Sequence, residues 1–537
     1  MKRLLALSWF LLYVPSCSHI QNEVPCWSVH EIMLTATREQ ANPYTQAGVT
    51  SVFTGPGRIT KEVSGFWDGD STFRIRFTPT ALGKWSWMTT SADPGLDRRS
   101  GVINCTAPDA GRHGFLRRDQ SNPYSFVWDD GSRYFMWGQT YYDVMLNVMA
   151  RGGWKAGVDN TAAHGMNKIR LHVFAHKNYK AGVEDMTYSQ VVPFGGAFSN
   201  LNRDQLNIAY WQGLDEYVRY VESKGLVADL ILFNPYGENV MWGTQDQDER
   251  YLRYILARYA AFPHVIWCVC NEWNYATKPR SYFDRMGAII RNEDPWVKEG
   301  ANLRALSIHQ GTRIDFSYFD ADWPVHAIIQ YGVRNNVQNS RPETTKDPVT
   351  RFHIGDEWGN ASIVYNLGHD MPVVNDEYGY IGEKAPVELT QTQHRQAMWG
   401  IAAAGGFGAV GDFRRPPTGN PEITGDWLDA PEYDDIQHMV SFFETKGLEY
   451  WKMVSHNELK LAGSRVYVLA EPGRQYLFYA AVGGSFSVRI DPGTYTARRY
   501  NPRTGEDTFI ADQRAGDAVS FTLPDTSDWV VYLRIKQ

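Results

Sequence analysis

GLVADLILFNPYGENVMWGTQDQDERYLRYILARYAAFPHVIWCVCNE, residues 225–272, decides the fold. GLVADLILFNPYG and HVIWCVCNE are near-continuous apolar runs closed by Gly or polar residues, the pattern of strands buried on both faces. DERYLRYILARYAAF between them predicts a helix. A strand, a helix and a second fully buried strand make one βαβ unit of a parallel sheet.

Outward from this unit the alternation continues. RYFMWGQTYYD and MNKIRLHVFAH predict the two preceding strands. The helix NIAYWQGLDEYVRYVESKG, apolar at helical spacing and ended by Gly225, leads into the quoted stretch. After it come the helix SYFDRMGAIIRNE and the strands RALSIHQG, VHAIIQYG and MPVVNDEYG, then the helix LTQTQHRQAMWGIAAAGG and the strand GFGAVGDF. Eight strand-then-helix units across residues 115–455 predict a (β/α)8 TIM barrel. The other arrangement is an open doubly wound sheet. That usually carries a Gly-rich phosphate turn after its first strand, and MWGQTYYD is not one.

Both flanks change period. Residues 26–108 alternate every second residue, as in TFRIRFTP, with Gly, Asp and Pro between runs, and predict a β-sandwich. Residues 460–537 do the same in RVYVLAE, RQYLFYAAV, GSFSVRI and DWVVYLRI, and predict a second one. A multidomain chain suits 537 residues, too many for one ordinary core. A net charge of −7 gives no reason to expect a nucleic-acid partner. The unusual feature is 19 Trp, 30 Tyr and 25 Phe, enough for aromatic cores and for platforms under sugar rings.

MKRLLALSWFLLYVPSCS opens with Lys2 and Arg3 and an apolar run of signal-peptide length, too short to span a bilayer. A small residue before Cys17 resembles a lipobox, so residues 1–17 read as a lipoprotein-type signal, with lipidated Cys17 attaching the chain to a membrane. Pro15 departs from that pattern and leaves ordinary secretion as the alternative. Either route places the protein outside the cytoplasm. Cys26 and Cys105 frame the first sandwich and read equally as a disulfide or as two buried thiols. Cys268 and Cys270 read as small core residues.

Barrel enzymes display their chemistry at the C-terminal ends of the strands. Those ends offer Gln139, Tyr141 and Asp143, then Arg170, His172 and His176, then Asn234 and Tyr236. They continue with Asn271 and Glu272, His309 and Gln310, Gln330 and Tyr331, then Asn375, Asp376 and Glu377, and finally Asp412. Two glutamates stand out, Glu272 ending strand four and Glu377 ending strand seven. Hydrolysis of a glycosidic bond needs two carboxyl groups flanking it, one to protonate the leaving oxygen and one to attack or to activate water. Asp376 rivals Glu377, because neighbours on a strand point oppositely. Trp242, Trp273, Trp323 and Trp358 follow strands, and at least one should stack on a sugar. His172 and His309 read as sugar contacts or as satisfied barrel histidines.

With Asn-Glu after strand four and Glu after strand seven, the chain resembles the retaining glycoside hydrolases of clan A. YFMWGQTYYDVM resembles the first barrel strand of the apiosidase-like families of Bacteroidota. GTYTARRYNPRTGED and FTLPDTSDWVVYL resemble the collagen-binding domain of a collagenase that follows such barrels, and the first sandwich resembles the Ig-like module that precedes them. The resemblance implies Glu272 as acid/base and Glu377 as nucleophile. It places Asn271 on the sugar 2-hydroxyl, with Arg170 and Tyr331 holding the nucleophile. Trp273 stands where many relatives have Pro. With His172, His309, Gln139 and Trp273, these form the expected substrate-binding set, acting on a plant or other complex polysaccharide without cofactor or metal. The alternatives are a non-catalytic glycan-binding lipoprotein and an adhesin that works through its terminal sandwiches. A zinc protease is excluded because no HExxH occurs.

Overall fold

The alternation in TFRIRF becomes a strand, Thr72–Phe77, that pairs antiparallel with His30–Thr35, Ile32 opposite Ile75. This computed structural model describes residues 22–142, 144–174, 192–197, 200–235, 241–299, 302–311, 315–330, 355–381, 390–412 and 430–536. Residues 22–106 form a three-stranded sheet facing a five-stranded one. Phe53 of the larger sheet stacks on Phe77 of the smaller, their ring centroids 3.8 Å apart.

The centre is a nearly closed parallel barrel. Trp137–Thr140, Lys168–His172, Val227–Phe233 and Val265–Cys270 pair in sequence order, and Phe407–Asp412 lies on the other side of Trp137–Thr140. Val373–Asn375 and Ala327–Ile329 continue that side. The expected fifth strand is broken at Ile308. Its first half, Leu306–Ser307, pairs with strand four, and its second half, His309–Gln310, pairs with strand six. The two ends of the curled sheet therefore meet in one short segment.

Strands three and four are buried along their whole length, as their apolar runs require. The helix between them covers Gln245–Tyr259, starting ahead of the expected Asp248. Thr244 explains the early start. Its hydroxyl accepts from Gln247 N, and Gln247 Oε1 accepts from Thr244 N, a reciprocal cap that satisfies two otherwise orphaned donors.

Residues 454–535 form a six-stranded sheet over a three-stranded one. On the inner face of the larger sheet Phe478 packs against Phe486 and Phe521 of the smaller one. Tyr479, Tyr500 and Tyr532 pack against Trp399 and Phe442 of the barrel helices. Arg395 of a barrel helix holds Asp528 through two hydrogen bonds of 2.9 Å. The N-terminal module is anchored through Arg76, which bonds to Asp215 and to Arg258 O, and through Thr78, which bonds to Ala261 O at 2.5 Å.

Candidate active site

Strand four leaves the barrel through a strained residue. Glu272 adopts φ 38°, ψ 47°, a left-handed conformation that costs a residue with a Cβ about 1–2 kcal/mol. The turn Trp273–Tyr275 follows it. A Cβ on Gly311 would come within 2.7 Å of Glu272 Cβ and Cγ, so glycine at 311 makes room for the glutamate.

The residue before it is fixed from two sides. Asn271 Oδ1 accepts from Arg170 Nη2 at 2.5 Å and lies 2.5 Å from His309 Nδ1. An amide oxygen only accepts, so this short contact calls for a proton on His309 Nδ1, a nitrogen that Glu272 N also approaches, at 3.4 Å. Burial, then the charge of Arg170, pulls the His309 pKa well below its ordinary value, and the ring stays neutral.

Arg170 reaches the second glutamate through a tyrosine. Its Nη1 donates to Tyr142 Oη at 3.1 Å, and Tyr142 donates to Glu377 Oε2 at 3.0 Å. Burial works against the charge of Arg170, but Tyr142, Asp376, Cys268 and Asp229 outweigh it and raise its pKa further. The Tyr142 hydroxyl is held well above the ordinary range by burial first and by Glu377 next, with Glu272 acting in the same direction and Arg170 opposing. Arg170 thus joins Asn271, the neighbour of Glu272, to the tyrosine that holds Glu377, and the two glutamates share one end of the barrel.

Asp376 points elsewhere. It is fully buried in an ion pair with Lys168, and its Oδ2 is 3.7 Å from Arg170 Nε. Asp229 completes the cluster, 3.5 Å from Lys168 and 4.0 Å from Arg170. Burial pushes the Asp229 carboxyl up to about 6, against the pull of Lys168. Among the described residues no group of three or more His, Cys, Asp or Glu is arranged to hold a metal.

The family profile of the apiosidase-like catalytic domain matches residues 120–445, more than half of the chain. The chain belongs to this apiosidase-like family. It is a glycoside hydrolase. A domain of unknown function, DUF5060, matches residues 23–92. Among solved structures, a candidate glycoside hydrolase from Bacteroides vulgatus ATCC 8482 aligns with a TM-score of 0.74 at 21% identity, covering 96% of this chain and 100% of that one. A family 5 glycoside hydrolase from the same organism aligns with a TM-score of 0.60 at 17% identity, covering 79% of this chain and 93% of that one. At such identities the likeness carries the fold. Comparison with curated proteins gives no match.

The apiosidase-like domain gathers Arg170, Asn271, Glu272, His309 and Glu377 around Tyr142. His172 stacks on the Tyr142 ring with centroids 4.8 Å apart, and burial pulls its pKa well below the ordinary value. Gln139 is tied outward, its amide donating to Tyr433 on the helix Pro431–Thr445 at 2.7 Å. Tyr141 likewise meets Thr161 of the helix Trp154–Ala163 at 3.3 Å. Trp273 is half-buried, its Nε1 donating to Gln310 at 3.0 Å. Trp323 and Trp358 are buried, Trp358 within the helix Asp356–Val364, while Trp242 is half-buried against Phe233. Tyr331, Cys17, Asp143, His176, Tyr236 and the side chain of Asp412 lie outside the described residues.

Tyr142 is the site residue that the sequence reading passed over. Alternation places Gln139 and Tyr141 on one face of the first barrel strand and Thr140 and Tyr142 on the other. Gly138 and Thr140 are the small residues that a narrow barrel interior takes, and Tyr142 continues their face. That pattern was the available signal.

Proposed function

We propose that this glycoside hydrolase works with retention, Glu377 as nucleophile and Glu272 as acid/base. Glu377 attacks the anomeric carbon while Glu272 protonates the departing oxygen, and a glycosyl ester forms. Glu272 then takes a proton from water, which displaces Glu377. The observation that carries the assignment is the Tyr142 hydroxyl, which accepts from Arg170 and donates to Glu377 Oε2. A hydrogen bond to the ionised form keeps a carboxylate ionised, and it leaves the other oxygen to attack. In this reading Asn271, held by Arg170 and His309, meets the sugar hydroxyl next to the reacting carbon.

The substrate class we propose is a plant or other complex polysaccharide or its oligosaccharides, with apiosyl linkages the first to test, given the family. The N-terminal pattern supports an extracytoplasmic site of action with Cys17 as lipid anchor. Incubation with aryl glycosides and cell-wall oligosaccharides, followed by NMR of the first-formed anomer, tests the reading. Retained configuration supports it. Inverted product, or no cleavage across a panel that includes apiosides, counts against it.

A further inference from the structure

Cys26 and Cys105 lie at opposite ends of the N-terminal module in sequence and side by side in its sheet. Asn22–Pro25 pairs parallel with Ser100–Thr106, Val24 opposite Cys105, and Cys26 N donates to Thr106 O at 3.0 Å. Cys26 is the first residue past that strand, in the turn that Ser28 N closes on Pro25 O, and so lies just beyond the Val24–Cys105 pair. Both are buried, at 4% and 3% exposure, on the inner face with Val24 and Ile103. Both are free thiols: Cys26 Sγ donates to Pro79 O at 3.5 Å and Cys105 Sγ to Thr106 O at 3.7 Å, and the Cys105 thiol is raised above its ordinary pKa first by its hydrogen bond with Cys26 and then by burial.

We propose that Cys26 and Cys105 are a disulfide site that locks the first strand of the module to its last. The thiolate of one cysteine attacks a disulfide donor, such as oxidised glutathione or a protein disulfide, and forms a mixed disulfide. The second cysteine displaces the donor sulfur, and two reduced thiols leave with the two protons and the two electrons. Closed native thiols are poor nucleophiles, so the bond forms during folding, before the sheet buries them. The locked segment carries Arg76 and Thr78, which fasten the module to the barrel. Cys268 and Cys270 make the internal control. They sit two residues apart on one strand, and their thiols likewise turn to backbone carbonyls, those of Cys270 and Asn271.

The full chain, unfolded and refolded in a buffer of reduced and oxidised glutathione, is digested without reduction and mapped by mass spectrometry. The expected result is one cross-linked species joining the Cys26 and Cys105 peptides, lighter by two hydrogens than their sum, with Cys268 and Cys270 recovered as alkylated thiols. Reduction should lower the unfolding temperature by several degrees. Recovery of Cys26 and Cys105 as alkylated thiols, or each as a glutathione adduct, overturns the proposal. Cys105→Ser guards against misassigned peptides. In it Cys26 should appear as a thiol or glutathione adduct, and a link from Cys26 to Cys268 or Cys270 overturns the pairing. None of these readouts depends on the glycosidase assignment or on where the protein resides.

Discussion

Tyr142 donates its phenolic proton to Glu377 across 3.0 Å while accepting from Arg170 across 3.1 Å. Tyr142→Phe removes the donor and keeps the ring stacked on His172. Without a hydrogen bond to its ionised form a carboxylate binds its proton more tightly. The acid limb of the kcat/KM profile should therefore move to higher pH, and kcat should fall by about 10²-fold, as for other single donors at a reacting charge. A kinetic pH series on both proteins checks this. An unmoved acid limb would take Tyr142 out of the mechanism.

Asp376 and Glu377 are neighbours with opposite fates. Asp376 neutralises Lys168 and Arg170 inside the barrel, and all three are buried. Asp376→Asn leaves those cations short of a partner and should cost about 3–5 kcal/mol. Glu377→Gln should leave stability within about 1 kcal/mol and remove activity. Denaturant unfolding with activity assays separates them. A stable, inactive Asp376→Asn beside an active Glu377→Gln would exchange the two roles.

Acid should loosen the grip of the N-terminal module. Burial alone would raise the Asp215 carboxyl, but Arg76 and Arg258 outweigh it and bring its pKa to about 2. The folded value lies below the ordinary 3.8, so the folded state holds fewer protons at intermediate pH. This stabilisation is complete above about pH 4 and is lost as the pH falls through 2. Hydrogen exchange at residues 72–78 should accelerate across that window. Asp215→Asn should cost about 3 kcal/mol at neutral pH and flatten the dependence. Equal protection at about pH 2.5 and about pH 6 would contradict the assignment.

Glu272 sits in backbone space that suits glycine. Both Glu272→Gly and Glu272→Ala lose the carboxyl, but only the first loses the left-handed strain. Glu272→Gly should therefore be the more stable by about 1 kcal/mol. If alanine is the more stable variant, position 272 relaxes away from its left-handed conformation and the strain is not held by the site.

Much of this was legible in the sequence. Runs such as VADLILF and VIWCVC announced strands buried on both faces, and each ended where the polar residues begin. The split at Ile308 was not legible, because the short stretch ALSI, residues 305–308, looks the same whether it pairs with one neighbour or bridges two. The choice between Tyr141 and Tyr142 was open to reading, since it rests on alternation from Gly138. The helix start at Gln245 was also readable, from Thr244 and Gln247. Nothing in the sequence separated Asp376 from Glu377 except the resemblance, because the partner that claims Asp376 is Lys168, more than two hundred residues away.

The most direct test is leaving-group dependence in the two glutamate variants. On the proposed roles Glu272→Ala lacks the proton donor, so it should keep much of its first-step rate on a dinitrophenyl glycoside and lose it on natural glycans. Added azide should replace water against the stalled glycosyl-enzyme and release a glycosyl azide of retained configuration. Glu377→Ala should be inactive on every substrate. Azide rescue of Glu377→Ala to an inverted product, with Glu272→Ala dead on activated and natural substrates alike, would contradict the account and swap the two roles. Wild-type activity in both variants would place the chemistry away from Tyr142 altogether.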